Sequence, residues 1–305
     1  NHFHSFNHFI HSMLFYGQIL LNDKIDLTED VQIDLNERIQ INWYDKKPMN
    51  KGDGKFELNE NGQFFFNENE TRIELVEDNK SEFGMLLIKE SIKEGNLLSL
   101  YVYSHYLYEG KHVDQDKKES LKYLKMAVDH NNLKAIRKYS DLLFTGEEGL
   151  IDRNVTKSVT YLKKIADVSD DPSIIKKVIK LLLNGHEDFA PNKPESLKYL
   201  KKSIYKFDDT ESMFQYATLL FDGEEGVEMN KVEAINYFKM AANKGHKESV
   251  LKCAFTLFNG DGVPINKAEA ASYFKIAADQ GYDSMIPFYA KLLYEGDGIP
   301  VNKPE

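Results

Sequence analysis

Tyr216-Ala217-Thr218-Leu219-Leu220-Phe221-Asp222-Gly223 is one of six copies of a single short pattern. The others are Tyr103 to Gly110 (YSHYLYEG), Tyr139 to Gly146 (YSDLLFTG), Val178 to Gly185 (VIKLLLNG), Cys253 to Gly260 (CAFTLFNG) and Tyr289 to Gly296 (YAKLLYEG). The closing glycines stand 36, 39, 38, 37 and 36 residues apart. A fixed period of roughly 20–50 residues denotes an array of one supersecondary unit, because each unit needs a neighbour to cover its apolar face.

Fifteen residues before each closing glycine stand Gly95, Asn131, Asp170, Asp208, Gly245 and Gly281. Only glycine, asparagine and aspartate occur there, the types that tolerate the left-handed backbone that ends helices. The stretch between stop and glycine is a helix, A, as at 246–259. Before each stop runs a second apolar helical pattern around Leu87, Tyr123, Tyr161, Tyr199, Tyr237 or Tyr273. In one unit it comprises Ala234, Ile235, Tyr237, Phe238, Ala241 and Ala242, and it predicts a helix B over 231–244. From closing glycine to the next tyrosine the interval is 13, 15, 14, 14 and 13 residues, so length variation sits in the A-to-B loop. That loop carries Gly-Asp-Gly-Val-Pro (260–264) and Gly-Asp-Gly-Ile-Pro (296–300), both turn signals. Asn192, Asn230, Asn266 and Asn302 stand at N-cap positions of helix B, with Pro194 and Pro304 in the first turn, where proline is tolerated.

Counting helix A from its stop, with 100° per residue, places Ser212, Met213, Tyr216, Ala217, Leu219, Leu220 and Phe221 on an arc of roughly 200°. A helix apolar over so wide an arc lies between neighbours. The expected fold is all-α: an α/α solenoid, a right-handed superhelix, with Gly95, Gly110, Gly146, Gly185, Gly223, Gly245, Gly260, Gly281 and Gly296 as its structural turns.

These residues resemble the Sel-one-like repeat family, a relative of the tetratricopeptide repeat. Residues 231–262 carry the pattern best: Tyr237-Phe238, Ala241-Ala242, Gly245-His246, Ser249, Cys253-Ala254, Gly260 and Gly262-Val263. Units 97–130 and 132–169 follow it less closely. The unit around 170–207 is degenerate, with Asp170 and Asp208 in place of glycine and Ile204 in place of alanine. The resemblance implies an interaction scaffold. Some family members recruit substrates to the ubiquitin ligase of endoplasmic-reticulum-associated degradation, and others are bacterial and cysteine-rich. One cysteine in 305 residues separates this chain from the second group.

Residues 1–82 hold 16 acids and 8 bases, a balance of −8, against 33 and 31, or −2, in the remainder. The shift places a domain boundary near Ser81, between a small β-containing region at 1–81, read as the end of a larger domain, and five to six repeats over 82–305. Short alternating runs at Val31 to Leu35, Arg38 to Trp43, Lys55 to Leu58, Gln63 to Phe66 and Thr71 to Val76 read as strands, with Asn61-Gly62 as a hairpin turn. The chain begins at Asn1, not Met, and ends at Glu305 early in a helix B, which reads as a piece of a longer protein. Its last helix A, with Leu292 and Leu293 in the apolar arc, is expected to fray or self-associate.

The net charge of −10 argues against a general nucleic-acid binder. Ile10 to Leu21 is apolar but too short and too interrupted to span a bilayer. Cys253 occupies a core position, so no disulfide framework exists and a reducing, cytoplasmic compartment is favoured over the endoplasmic reticulum lumen. His4 and His8 at i and i+4, with His2 and His11 nearby, form a metal pair if helical, but no carboxylate or thiol accompanies them. The Gly-x-Gly pairs at 260–262 and 296–298 lack a P-loop ending and repeat in register, so they read as turns. Glu147-Glu148 and Glu224-Glu225 lack the spacing of a calcium loop. No nucleophile signature is present. No catalytic, cofactor or metal residue is expected, and the chain is read as no enzyme.

The face of helix A outside the apolar arc is expected to line a concave groove. It carries Tyr101, Val102 and His105; Arg137, Lys138 and Asp141; Lys176, Lys177 and Lys180; Phe214, Gln215 and Thr218; Leu251, Lys252 and Phe255; and Pro287, Phe288 and Lys291. One reading is a solvated face with ordinary lysines. The other is a groove for a protein or peptide segment with acidic groups and hydrophobic anchors, since clustered apolar surface marks partner sites. The expected function is a protein-interaction scaffold. Alternatives are a substrate-recruiting adaptor of a ubiquitin-ligase complex and the regulatory repeats of an enzyme whose catalytic domain lies elsewhere.

Overall fold

A computed structural model describes residues 39–42, 53–58, 64–68 and 71–74, and residues 77–296 apart from Glu225. The His2 to His11 cluster, Ile10 to Leu21, Val31 to Leu35, Asn61-Gly62 and the turn and cap at 298–304 lie outside the described residues. The chain divides into two compact units, 1–153 and 154–305.

In the first unit, β1 (Ile39–Asn42), β2 (Asp53–Leu58), β3 (Phe64–Glu68) and β4 (Thr71–Glu74) form an antiparallel sheet in chain order. One register row runs Ile39, Phe56, Phe66, Ile73. Helices α1 (Glu77–Lys93), α2 (Leu97–Glu109), α3 (Lys117–Asp129) and α4 (Leu133–Thr145) follow, each packed on the next. Met85, Ile88, Val102, Tyr103, Tyr106 and Leu107 form one buried cluster.

The second unit continues with α5 (Val155–Val168), α6 (Pro172–Asn184), α7 (Lys193–Phe207), α8 (Thr210–Asp222), α9 (Lys231–Asn243), α10 (Lys247–Asn259), α11 (Lys267–Asp279) and α12 (Ile286–Glu295). From α6 on, each helix packs on its chain neighbour. Even-numbered helices are the A helices and odd-numbered ones the B helices. The seven buried residues of α8 are those of the expected arc, Ser212, Met213, Tyr216, Ala217, Leu219, Leu220 and Phe221. The first residue of the recurring block meets the helix B tyrosine edge-on: Tyr216 with Tyr237, and Tyr103 with Tyr123, both at 4.7 Å between ring centroids. Such edge-to-face pairs contribute about 0.5–1.5 kcal/mol beyond burial. Cys253 is buried, and burial pushes its thiol up to about 12.

The six closing glycines all have positive φ, between 65° and 72°. Gly95, Gly245 and Gly281 lie at 89–94°, Asn131 at 59° and Asp208 at 53°. At four of the stops a paired bond closes the turn. Asn96, Asn132, His246 and Tyr282 donate their N–H to the carbonyls of Ser91, Ala127, Ala241 and Ala277, while the residue before each bonds a carbonyl one position further on in the helix.

Asp170 is a correction: it is not left-handed. Helix α5 ends at Val168 and Ser169 is extended, with φ −111° and ψ 153°. Asp171 then caps α6 directly ahead of Pro172, a proline that holds its predecessor extended. The Ala166 carbonyl, equivalent to Ala127, Ala241 and Ala277, therefore receives no backbone N–H. The Lys202 ammonium donates to it at 2.7 Å and to the Ser169 carbonyl at 2.9 Å, and lies 3.3 Å from Asp170 Oδ1.

Caps start the helices. Asn96, Asn132, Asp171, Asp209 and His246 follow directly after the stops and accept backbone N–H groups of the next A helix. Asp116, Asn154, Asn192, Asn230 and Asn266 do so for the B helices. The last A helix differs: Tyr282 makes no side-chain cap and Asp283–Met285 form a 3₁₀ turn ahead of α12. Pro287 lacks the N–H that would bond back to Asp283, which tightens that turn. Leu292 is buried and Leu293 half-buried.

Candidate functional site

The site is built on α8 and α10. Glu248, Leu251, Lys252, Phe255, Thr256 and Asn259 fall at i, i+3, i+4, i+7, i+8 and i+11 of α10, and so form one stripe. Phe214 and Phe221, seven residues apart on α8, face it, and Asp261 closes one end. Together they enclose an open groove of about 490 Å³.

Each aromatic in the wall is held by another ring. Phe214 lies 4.7 Å from His246 and 5.8 Å from Phe238. Phe255 meets Phe274 at 5.2 Å and Phe288 at 5.4 Å, and Phe274 and Phe288 stack at 5.2 Å. Phe214, Leu251, Phe255 and Phe288 are therefore half-buried, not exposed as the sequence suggests. The outer faces of Phe214, Leu251 and Phe255 are what the groove presents.

The charges lie at the rim. His246 caps α10, its Nδ1 accepting the Ser249 N–H at 3.3 Å. Its Nε2 stands 3.4 Å from Glu211 Oε2 and 3.7 Å from Glu248 Oε2. This end of the groove is acidic, and both carboxylates remain well exposed, at 58 % and 61 %. At the other end Lys231 binds Asp261 at 2.5 Å, and the Lys231 and Lys252 ammoniums lie 4.7 and 5.3 Å from the Phe221 ring centroid.

Of the expected groove residues, Phe214, Leu251, Lys252 and Phe255 come together here, with Phe288 behind Phe255. Gln215 turns its amide to Glu211 Oε1 at 2.7 Å. Lys176, Lys177 and Lys180 lie on α6, away from this lining; Lys176 is paired with Asp209 at 2.9 Å. Tyr101, His105, Arg137 and Lys138 belong to the first unit. There Tyr101 and His105 are half-buried, Arg137 is exposed, and the Lys138 ammonium sits 4.4 Å over the Tyr108 ring. Val102, assigned to the same face, is fully buried, because its turn of α2 packs into the cluster with Met85 and Ile88. Phe221, Thr256 and Asp261 are lining residues that the arc count misses. Phe221 counts as core, and its spacing of seven from Phe214 is the signal that places it on the groove.

Among the described residues no group of three or more His, Cys, Asp or Glu could hold a metal ion. No described helix is long and apolar enough to cross a membrane.

The Sel1 repeat profile matches residues 97–132, 133–170, 210–246 and 248–282, and passes over the helix pair α6–α7. No curated protein matches the chain. Among solved structures the chain is similar to an Oxalobacter formigenes Sel1 repeat protein, with 20% identity over 75% of each chain and a TM-score of 0.49. It is similar to c5321, a protective antigen of uropathogenic Escherichia coli with an SLR fold, at 18% identity and a TM-score of 0.45. That match covers 75% of this chain and 48% of the other, so the chain spans about half the length of that protein. Helicobacter pylori cysteine-rich protein B is 16% identical over 47% of this chain and 99% of its own, with a TM-score of 0.32. Proteins built of these repeats generally serve as protein-interaction scaffolds and are typically non-catalytic. With their period and their stops, the four matched units, 97–132, 133–170, 210–246 and 248–282, are Sel1 repeats.

Proposed function

We propose that this chain is a non-enzymatic scaffold that holds a segment of a partner protein on the A-helix face of its repeats. The observation that carries this reading is the open apolar groove between α8 and α10, walled by Phe214, Phe221, Leu251 and Phe255. Aromatic and aliphatic anchors seated in such a groove supply most of the energy of a protein contact. Phe288 on α12 and Lys177 and Lys180 on α6 stand on further A helices of the second unit; Tyr101, His105, Arg137 and Lys138 stand on A helices of the first unit.

A photo-crosslinking residue at Leu251, compared with one at the exposed Met240 of helix B, tests the reading. The expected result is a discrete adduct from Leu251 that is competed by unmodified chain and not by the Leu251→Asp variant. Equal capture of the same partner from Met240 would overturn it.

A further inference from the structure

The groove between α8 and α10 has a polarity that says which segment fits it. We infer that its occupant is an amphipathic helix of about three turns with lysine or arginine at the end that meets Glu211 and Glu248; this rests on the groove reading above.

The helical form follows from what the walls offer. Both walls are helices, whose mid-segment N–H and C=O groups bond within the helix. They present side chains only, and three of these are phenyl rings. An extended segment would leave its backbone groups without partners against that surface, which is costly. A helix satisfies its own backbone and offers side chains at i, i+3, i+4 and i+7, the footprint that such grooves take. From Glu248 to Asn259 the stripe on α10 is about 16 Å long at 1.5 Å per residue, or three turns.

The charge of the occupant follows from the rim. Asp261 is neutralised by Lys231, and Lys244, near the other end, by Asp208. Neither Lys247 nor Glu211 is a lining residue, but Glu211 is tied to the lining residue Glu248 through the His246 ring, and Lys252 stands in the wall over Phe221. Glu211 and Glu248 flank the His246 ring, Glu211 also accepting from the Gln215 amide, and both stay exposed, so they form the acidic end. A segment with acidic residues there, the chemistry expected from the lysines of α6, would meet like charge.

Two synthetic helical peptides with the same leucine stripe, one ending in two lysines and the other in two glutamates, test this by titration into the full chain. The lysine peptide is expected to bind roughly tenfold more tightly, as for two exposed ion pairs. The chain's net charge of −10 favours a cation on its own. The deciding comparison is therefore Glu211→Lys with Glu248→Lys, which should reverse the order. A preference that survives this double substitution is a bulk-charge effect and overturns the inference, as does failure of both peptides to bind. Equal binding of the two peptides, lost in Leu251→Asp, overturns the charge assignment and leaves the groove reading standing. Binding that survives Leu251→Asp overturns both.

Discussion

At residue scale the stops show how one side chain replaces another group's work. Gly245 and Gly281 have open space where a Cβ would stand, so glycine is favoured there by φ alone. Asn131 and Asp208 accept the same left-handed strain. Asp170 declines it, and the Ala166 carbonyl loses the backbone donor that Ala127, Ala241 and Ala277 keep. Lys202 fills that role from the next helix B, with a side chain 21 % exposed. Lys202→Met should therefore cost about 1–3 kcal/mol, the range for a lost hydrogen bond from a charged donor to a buried acceptor. Lys198→Met, which removes an exposed lysine paired with Asp167, should stay within about 0.5 kcal/mol. Equal shifts of the urea midpoint in the two variants would refute the role given to Lys202.

At the scale of elements, each helix depends on a cap and on pairs that reach the next repeat. Lysines at the first position of a helix B meet the acid after the next closing glycine: Lys117 with Glu147, Lys193 with Glu224 and Lys231 with Asp261. Val155 and His186 occupy the same positions in the degenerate unit, where the rung is missing. Asp209 is a cap with partners beyond its own helix, Lys176 on α6 and Ser203 on α7. Burial pushes its pKa up, but the Lys176 ammonium and the Ser212 hydroxyl outweigh this and hold the carboxyl below its ordinary value. A depressed carboxylate stabilises the fold above the unfolded value of about 3.9, and that stability is lost as pH falls through the lower, folded value. Asp209→Asn keeps a capping oxygen and removes the charge. Its melting temperature should fall below that of the parent at neutral pH and converge with it in strong acid. A gap that stays constant across the titration would exclude the linkage. The spans at 231–244 and 246–259 are legible because period and stop are written in residue type. The caps of the A helices are not, since Asn, Asp and His there look like continuations of the turn. Nor is the 3₁₀ start of α12, which depends on the bond that Pro287 cannot make. The groove is half legible: the arc count finds Phe214, Leu251 and Phe255, but which ring shields which depends on packing between helices distant in sequence.

The scale of the whole molecule is set by the repeat. Within each unit the helices pack chiefly on their chain neighbours, so contacts are local and each repeat is tied to the rest through its interfaces. Damage should then stay near its origin. Leu182 on α6 is fully buried, in the unit that lacks both the standard stop and the standard rung. Leu182→Ala should cost about 2–5 kcal/mol by the usual cavity argument. In a protein with one shared core such a loss would lower protection everywhere that opens globally. In a quasi-one-dimensional array it is borne by the mutated repeat and its nearest interfaces, while repeats further along keep theirs. Amide exchange in the variant should accelerate in α6 and α7, fall off through α8, and leave α10 and α11 near their parental rates. Helix α10 holds the far wall of the groove, so peptide binding there should survive the substitution. An equal acceleration in α6 and α10 would mean that residues 154–296 open as one cooperative body.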